Sequence, residues 1–215
     1  MNEIREIGIE KEVFLLDSHG KIMEPKLYGF PRDEFEFLVE LRSLPSDRLY
    51  PVLTTLHQEE LQYRLRANKF GMNIIDTPTR RVYTDWIQSH WVKYNLSRFE
   101  DCDYTHNVYA TPDEKRESHH LGVLDDVNDH NYKILTAGIH VHFSSRDSKT
   151  GKVIQLPIEK IVKKMDNHFK SIITSECRNL GEWEPKTHGF EYRSLPCNAD
   201  TLEVLKKSFE IIRSV

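Results

Sequence analysis

Very little in this chain suits a secreted, membrane-spanning or nucleic-acid-binding protein. Its three cysteines, Cys102, Cys177 and Cys197, are odd in number and form no CxxC pair among 215 residues. That excludes a disulfide framework and leaves each thiol as a small buried apolar group in a reducing compartment. No apolar run approaches the ~20 residues of a transmembrane helix, and the first residues lack a signal peptide's apolar stretch. Cationic surplus is missing too: 30 Lys and Arg face 34 Asp and Glu, a formal net charge of −4, with basic pairs such as Arg80-Arg81 and Lys163-Lys164 isolated. Bulk electrostatics therefore offer nothing to nucleic acid or to an anionic membrane. Neither a P-loop nor a GxGxxG turn is present, so any nucleotide must be held by metals and arginines on a sheet. No internal repeat breaks the chain. A single domain over residues 1–215, in the cytoplasm, is expected.

The chain carries a clear alternation of elements. It enters a strand within its first ten residues, turns at Asp17-Ser18-His19-Gly20, and reaches a second strand at residues 35–42. Leu49, Val52, Leu53, Leu56, Leu61 and Leu65 predict a helix, with Ser46 as its cap, Pro51 in its first turn and Gly71 past its end. Residues 72–76 read as a short strand broken by Pro78, and residues 81–96, with Trp86 and Trp91, as a helix. The stretch 101–131 is polar and aperiodic, a flap or a disordered segment in which His106, His119 and His120 are solvated. A strand at 139–143 follows, then a turn at Ser148–Gly151. A helix opened by Pro157 has Ile158, Ile161, Val162, Met165, Phe169 and Ile172 on one stripe. After a strand at 190–195, Asp200 and Glu203 make a capping box for a last helix whose Leu202, Leu205, Phe209 and Ile212 face the sheet. The order is not a strict βαβα repeat. It predicts an α+β fold, a curved and mostly antiparallel sheet with helices on its convex apolar face.

Each of the four main strands sets charged or metal-capable side chains two residues apart among apolar neighbours. They are Glu10 and Glu12 in Ile9–Val13, Glu40 and Arg42 in Val39–Arg42, His140 and His142 in Ile139–Phe143, and Glu191 and Arg193 in Phe190–Leu195. Period two is strand period, so each pair falls on one face. If the strands share a sheet, one face is apolar and the other gathers all eight. A single such pair is an ordinary solvated sheet face; four in matching phase point to a site. Glu34 and Glu36 share the phase of Glu40 and read as rim residues.

Carboxylates crowded in this way need counter-charge. Two of them ~5 Å apart repel by about 3 kcal/mol at an effective dielectric near 20. Arg42 and Arg193 offset part of this, and the remainder calls for cations. Oxygen-rich ligation selects Mg²⁺, and the two histidines extend the choice to Mn²⁺. Arginines beside hard cations suit phosphoryl transfer. Arg178 and Lys186, flanking Gly181-Glu182-Trp183, are candidates for phosphate contact.

The segments Gly8-Ile9-Glu10-Lys11-Glu12, Val39-Glu40-Leu41-Arg42-Ser43, Ala137-Gly138-Ile139-His140-Val141-His142 and His188-Gly189-Phe190-Glu191-Tyr192-Arg193-Ser194-Leu195-Pro196 occur in that order. With Asn107-Val108-Tyr109 after Cys102-Asp103-Tyr104, this series resembles the carboxylate–amine ligases of the glutamine synthetase and glutamate–cysteine ligase superfamily, in particular its compact phage-encoded COOH·NH2 ligase type. The resemblance implies a cup-shaped antiparallel sheet holding ATP and Mg²⁺ or Mn²⁺. It implies metal ligation by Glu10, Glu12, Glu40, His140, His142 and Glu191, with His140 also facing the nucleotide phosphates. Arg193, with Arg42, would stabilise the transferring phosphoryl group. The reaction implied joins a small-molecule or peptide carboxylate to an amine through an acyl phosphate, in the host cytoplasm for a phage-encoded chain. Read as a flap, segment 101–131 would serve in such a reaction to close over the cup and exclude water. A metal-dependent hydrolase or oxygenase built on His140 and His142 plus a carboxylate is the alternative, although no Glu follows His142 within four residues. An inactive binding protein on the same fold is the third reading.

Overall fold

A long first strand organises the molecule. In the computed structural model, residues 3–31, 37–85, 106–109, 123–176 and 178–215 are described. Strand β1 (Glu3–Leu16) pairs along one edge with β2 (Leu38–Arg42). Its other edge is shared by β8 (Gly138–Asp147) over Glu3–Lys11 and β3 (Asn73–Ile75) over Phe14–Leu16. Beyond β8 lie β10 (Gly189–Pro196), β9 (Glu182–Lys186) and β5 (His106–Asn107), completing a seven-stranded sheet in the order β2-β1-β8-β10-β9-β5, with β3 attached to β1. Every pairing is antiparallel. A second, three-stranded sheet is formed by β4 (Thr79–Tyr83), β7 (Tyr132–Thr136) and β6 (Val123–Asp125), and β7 runs through Ala137 directly into β8.

Three helices, α1 (Leu49–Lys69), α2 (Ile158–Ser175) and α3 (Thr201–Arg213), cover one face of the large sheet. The covered face is the apolar phase: Ile7, Ile9 and Val13 of β1, Val39 and Leu41 of β2, Ile139, Val141 and Phe143 of β8, and Phe190 and Tyr192 of β10 are all 0% exposed. Each such side chain contributes roughly 1.5–3 kcal/mol of hydrophobic stabilisation. The α+β, mostly antiparallel reading of the sequence therefore holds. Polar groups also intrude on this face, Lys11 and Asp166 among them. Lys11 pairs with Asp76 at 3.2 Å, and buried Asp166 of α2 accepts a 2.7 Å hydrogen bond from the Tyr192 hydroxyl.

Some expectations need correction. Arg81, Val82 and Tyr83 are in β4 rather than in a helix, because β4 finds its ladder partner in the distant β7, from Thr79↔Thr136 to Tyr83↔Tyr132. Helical structure is described only at Thr84 and Asp85, and the rest of 86–96 lies outside the described residues, as do Glu34, Glu36, Cys102, Cys177, His119 and His120. Where it is described, segment 101–131 is only partly irregular: it supplies β5 and β6, while 108–109 and 126–131 are turns and connecting chain. His106 is exposed but stacks on Trp183, with ring centroids 4.6 Å apart. Ser46 is not the cap of α1: Arg48 is the N-cap and makes no side-chain cap bond, while the Ser46 hydroxyl accepts from the Arg48 N–H. The buried stripe of α1 continues from Leu56 to Ala67, so Leu61 and Leu65, well round the helix from Leu56, are exposed. Ile173 rather than Ile172 is buried in α2, and Leu202 at the start of α3 is 36% exposed. Asp200 does cap α3, accepting from the Glu203 N–H at 2.8 Å. Cys197 is fully buried among apolar side chains, as expected.

Candidate active site

Ladder register decides what shares the uncovered face. Glu12 lies opposite Glu40 and Glu10 opposite Arg42 across β1–β2. Glu10 also lies opposite His140 across β1–β8, and His142 opposite Glu191 across β8–β10. Glu191 in turn faces Glu184 across β10–β9. Thus all eight side chains singled out from the sequence share one face. At one end of that face the next pair in phase is Phe14↔Leu38, which joins Leu135, Ala137 and Cys197 in a second, small apolar cluster. A dry wall therefore borders the carboxylates and lowers the local dielectric.

The charges form two linked groups. In the first, Arg42 spans Glu40 (Nη2–Oε2, 2.7 Å) and Glu10 (Nε–Oε1, 3.2 Å) from the rim, its own side chain 57% exposed. Buried Glu12 accepts the Gly138 N–H at 2.5 Å through Oε2, and its Oε1 lies 3.7 Å from His140 Nε2. In the second group, Glu191, 1% exposed, accepts from His140 Nδ1 at 2.9 Å and Arg193 Nη1 at 2.6 Å on Oε1, and meets Lys186 Nζ at 2.9 Å on Oε2. The same two cations return to Glu184, Lys186 at 2.7 Å and Arg193 at 3.1 Å, closing a ring of two carboxylates and two cations.

His142 joins the groups. Its Nε2 stands 3.2 Å from Glu10 Oε2, and its Nδ1 lies 3.2 Å from His188 Nε2. Nε2 is fully buried, and its approach to Glu10 is within ion-pair reach but outside hydrogen-bond geometry.

These contacts set the ionisation. Burial raises the Glu10 carboxyl, but His142 beside it, a hydrogen bond with Glu40 and the field of His140 outweigh that and bring it down to about 2. A carboxyl–carboxyl hydrogen bond needs a shared proton, which a divalent cation can replace. Burial opposes ionisation of Glu191 as well, yet His140 and Arg193 hold it well below the usual carboxylate range. Burial and the Arg193 charge push His140 down, toward the neutral imidazole that can offer a metal its lone pair. Lys186 is raised because Glu191 and Glu184 outweigh its desolvation.

Five carboxylates thus face three basic side chains, leaving negative charge in excess. One ligand atom each from Glu10, His142 and Glu191 lie within 4.8 Å of one another, a spacing that a single cation can bridge. Of the six metal ligands expected from sequence, these three form a ready group. Glu12, Glu40 and His140 border it, engaged with the Gly138 amide, Arg42 and Glu191 respectively. Arg178 takes a different part. Its Nη2 donates to the Arg193 carbonyl at 2.5 Å, and its guanidinium packs where a Cβ on Gly138 would sit, so it braces the irregular stretch of β10 between Tyr192 and Leu195.

Two residues of the constellation escape sequence reasoning. Glu184 alternates with Lys186 at strand period, but Pro185 between them argues against a strand. His188 stands in a hairpin turn, and nothing in its local sequence shows that the turn folds over His142.

Comparison with family models, with curated proteins and with solved structures finds no match. No described helix is long and apolar enough to cross a membrane.

Proposed function

We propose that this protein is an ATP- and divalent-cation-dependent ligase that joins a carboxylate to an amine, on a sheet of the glutamine synthetase catalytic-domain kind. The observation that carries the reading is the meeting of Glu10, His142 and Glu191 beside Arg193 and Lys186, a cation site adjoining anion-binding side chains on one sheet face. The residues fit a divalent cation: two carboxylates, and a buried imidazole nitrogen that faces Glu10 outside hydrogen-bond geometry. Glu10, His142 and Glu191 would hold Mg²⁺ or Mn²⁺, with Glu12, Glu40 and His140 in reach of a further ion. Such ions neutralise phosphate charge and orient the nucleotide when bound.

The chain's own groups then have defined tasks. Arg193 and Lys186, freed in part from Glu191, pair with phosphate oxygens, and Arg193 steadies the charge that grows on the transferring group. Arg42 does the same from the rim. The γ-phosphoryl group passes from ATP to a carboxylate oxygen, giving ADP and an acyl phosphate. A neutral amine attacks the acyl carbon, the C–O bond to phosphate breaks, and the nitrogen loses its proton as the amide forms. The apolar cluster around Phe14 and Leu38 keeps water from one side of this chemistry. Substrates are a small-molecule or peptide carboxylate and an amine, with no nucleic acid or membrane partner. The setting is the cytoplasm, that of the host for a phage-encoded chain.

One observation favours the reading without turnover: Lys186 and Arg193 already neutralise Glu191, so the fold does not depend on a cation. A screen separates the two. ADP release from Mg·ATP and Mn·ATP is measured against pooled amino acids, polyamines and peptides. Release that needs both a carboxylate and an amine supports the ligase. Tight nucleotide binding with no release under any pool selects the binding protein, and turnover without ATP selects a hydrolase.

A further inference from the structure

His188 lies outside every strand, in the turn between β9 and β10, yet its position is closely controlled. Gly189 follows it at φ +152°, and a Cβ at Gly189 would stand 2.1 Å from the Phe143 carbonyl oxygen. Only glycine lets β10 start so tightly against β8, and this approach lays the exposed His188 ring over His142, with centroids 5.3 Å apart. The contact is directed, Nδ1 of His142 to Nε2 of His188 at 3.2 Å. Between two imidazoles such a contact needs one N–H and one lone pair, so it links the tautomers of the two rings. With Nδ1 engaged by His188, the nitrogen of His142 left to face Glu10 and Glu191 is Nε2, a buried atom that approaches Glu10 Oε2 to 3.2 Å outside hydrogen-bond geometry.

We propose that His188 is a positioning residue: its Nε2 accepts the Nδ1–H of His142 and so turns the Nε2 lone pair of His142 onto a divalent cation shared with Glu10 and Glu191. The inference rests on the cation site proposed above. The opposite arrangement, with Nε2–H of His142 aimed at Glu10, would leave no lone pair for a cation. A second partner on a ligand histidine fixes ring orientation and basicity, and its loss typically weakens metal binding about 10–100-fold.

The test is direct Mn²⁺ titration at pH 7.5, followed by the loss of the free-ion paramagnetic resonance signal, on wild type, His188→Leu, His188→Gln, His188→Asn and Glu191→Gln. A glutamine amide oxygen falls near the place of imidazole Nε2, whereas that of asparagine falls near Nδ1. His188→Leu and His188→Asn should therefore weaken Mn²⁺ about 10–100-fold, and His188→Gln should restore most of the affinity. Because His188 is exposed, metal-free variants should keep the wild-type melting temperature. Leucine binding as tightly as wild type, while Glu191→Gln does not, overturns the role of His188 and leaves the cation site standing. Equal losses in all three His188 variants reduce the residue to packing and also overturn the inference. Wild type without Mn²⁺ binding overturns both the inference and the cation site.

Discussion

Replacing Glu191 by glutamine perturbs the fold and the site together, and the two effects separate by calorimetry. Glu191 is 1% exposed and meets His140, Arg193 and Lys186. Removing one member of a buried ion pair ordinarily costs about 3–5 kcal/mol, because the partner charge is left uncompensated. Here Glu184 keeps both Arg193 and Lys186 paired, at 3.1 and 2.7 Å, and the amide oxygen still accepts hydrogen bonds. The remaining cost is about 2 kcal/mol, a fall in Tm of roughly 4–8 °C for a chain of this size. Cation binding adds an independent signature. At a concentration a hundred times Kd, a ligand that binds only the native state stabilises it by about 2.7 kcal/mol, a rise of roughly 5–11 °C. Wild type should show that rise with Mn²⁺, and Glu191→Gln, having lost a charged ligand, should show little of it. An equal rise in the variant, above its own lowered baseline, would refute ligation by Glu191. An unchanged metal-free Tm would refute the ion-pair ring.

Three further substitutions test neighbouring parts of the structure. Lys186→Met removes the cation that competes for Glu191 Oε2; an ion pair with one partner partly exposed is worth about 1 kcal/mol, so Mn²⁺ affinity should rise about fivefold. Equal or weaker Mn²⁺ binding would show that Lys186 does not compete. Gly189→Ala places a Cβ against the Phe143 carbonyl and should lower stability by more than about 3 kcal/mol in denaturant titration, whereas a near-wild-type midpoint would contradict the close approach of β10 to β8. Burial raises the Asp166 carboxyl, so its favourable contribution is present below the unfolded value of 3.8 and lost as pH rises through the folded value. Asp166→Asn keeps the Tyr192 hydrogen bond and should raise Tm at pH 7 by about 2–4 °C, a gain that shrinks toward pH 4; a loss of stability at pH 7 would show that the ionised group is needed.

How much of this was legible beforehand follows from where the information lies. The four charged pairs could be read because each strand declares its own phase: Ile9 and Val13 mark the covered face of β1, so Glu10 and Glu12 must lie on the other. Residues 81–83 misled because Arg81-Val82-Tyr83 is too short to show a period of its own, and β7, which settles the matter, is distant in sequence. Glu184 is opposite Glu191 only through the β9–β10 register, and Pro185 conceals that strand locally. Side-chain direction was beyond reach of any pattern. Glu12 has the same spacing credentials as Glu10, yet it turns to the Gly138 amide at the place where β8 leaves β1.

This division has a physical consequence for how the site works. A cluster in which every carboxylate waited for a metal would be unstable without one, since several repulsions of about 3 kcal/mol would accumulate at protein-like dielectric. The chain avoids this by giving each carboxylate a replaceable partner: Arg42 for Glu10 and Glu40, a backbone amide for Glu12, Lys186 and Arg193 for Glu191. A cation bound as proposed between Glu10, His142 and Glu191 would compete with Lys186 and Arg193 rather than relieve bare repulsion, so its net affinity would be modest. Lys186 and Arg193 would stay within the site, because both also pair with Glu184. On the proposed function, metal and nucleotide phosphate would be coupled through one shared set of charges: each should tighten the other, and neutralising Glu184 should weaken that coupling more than it weakens either ligand alone.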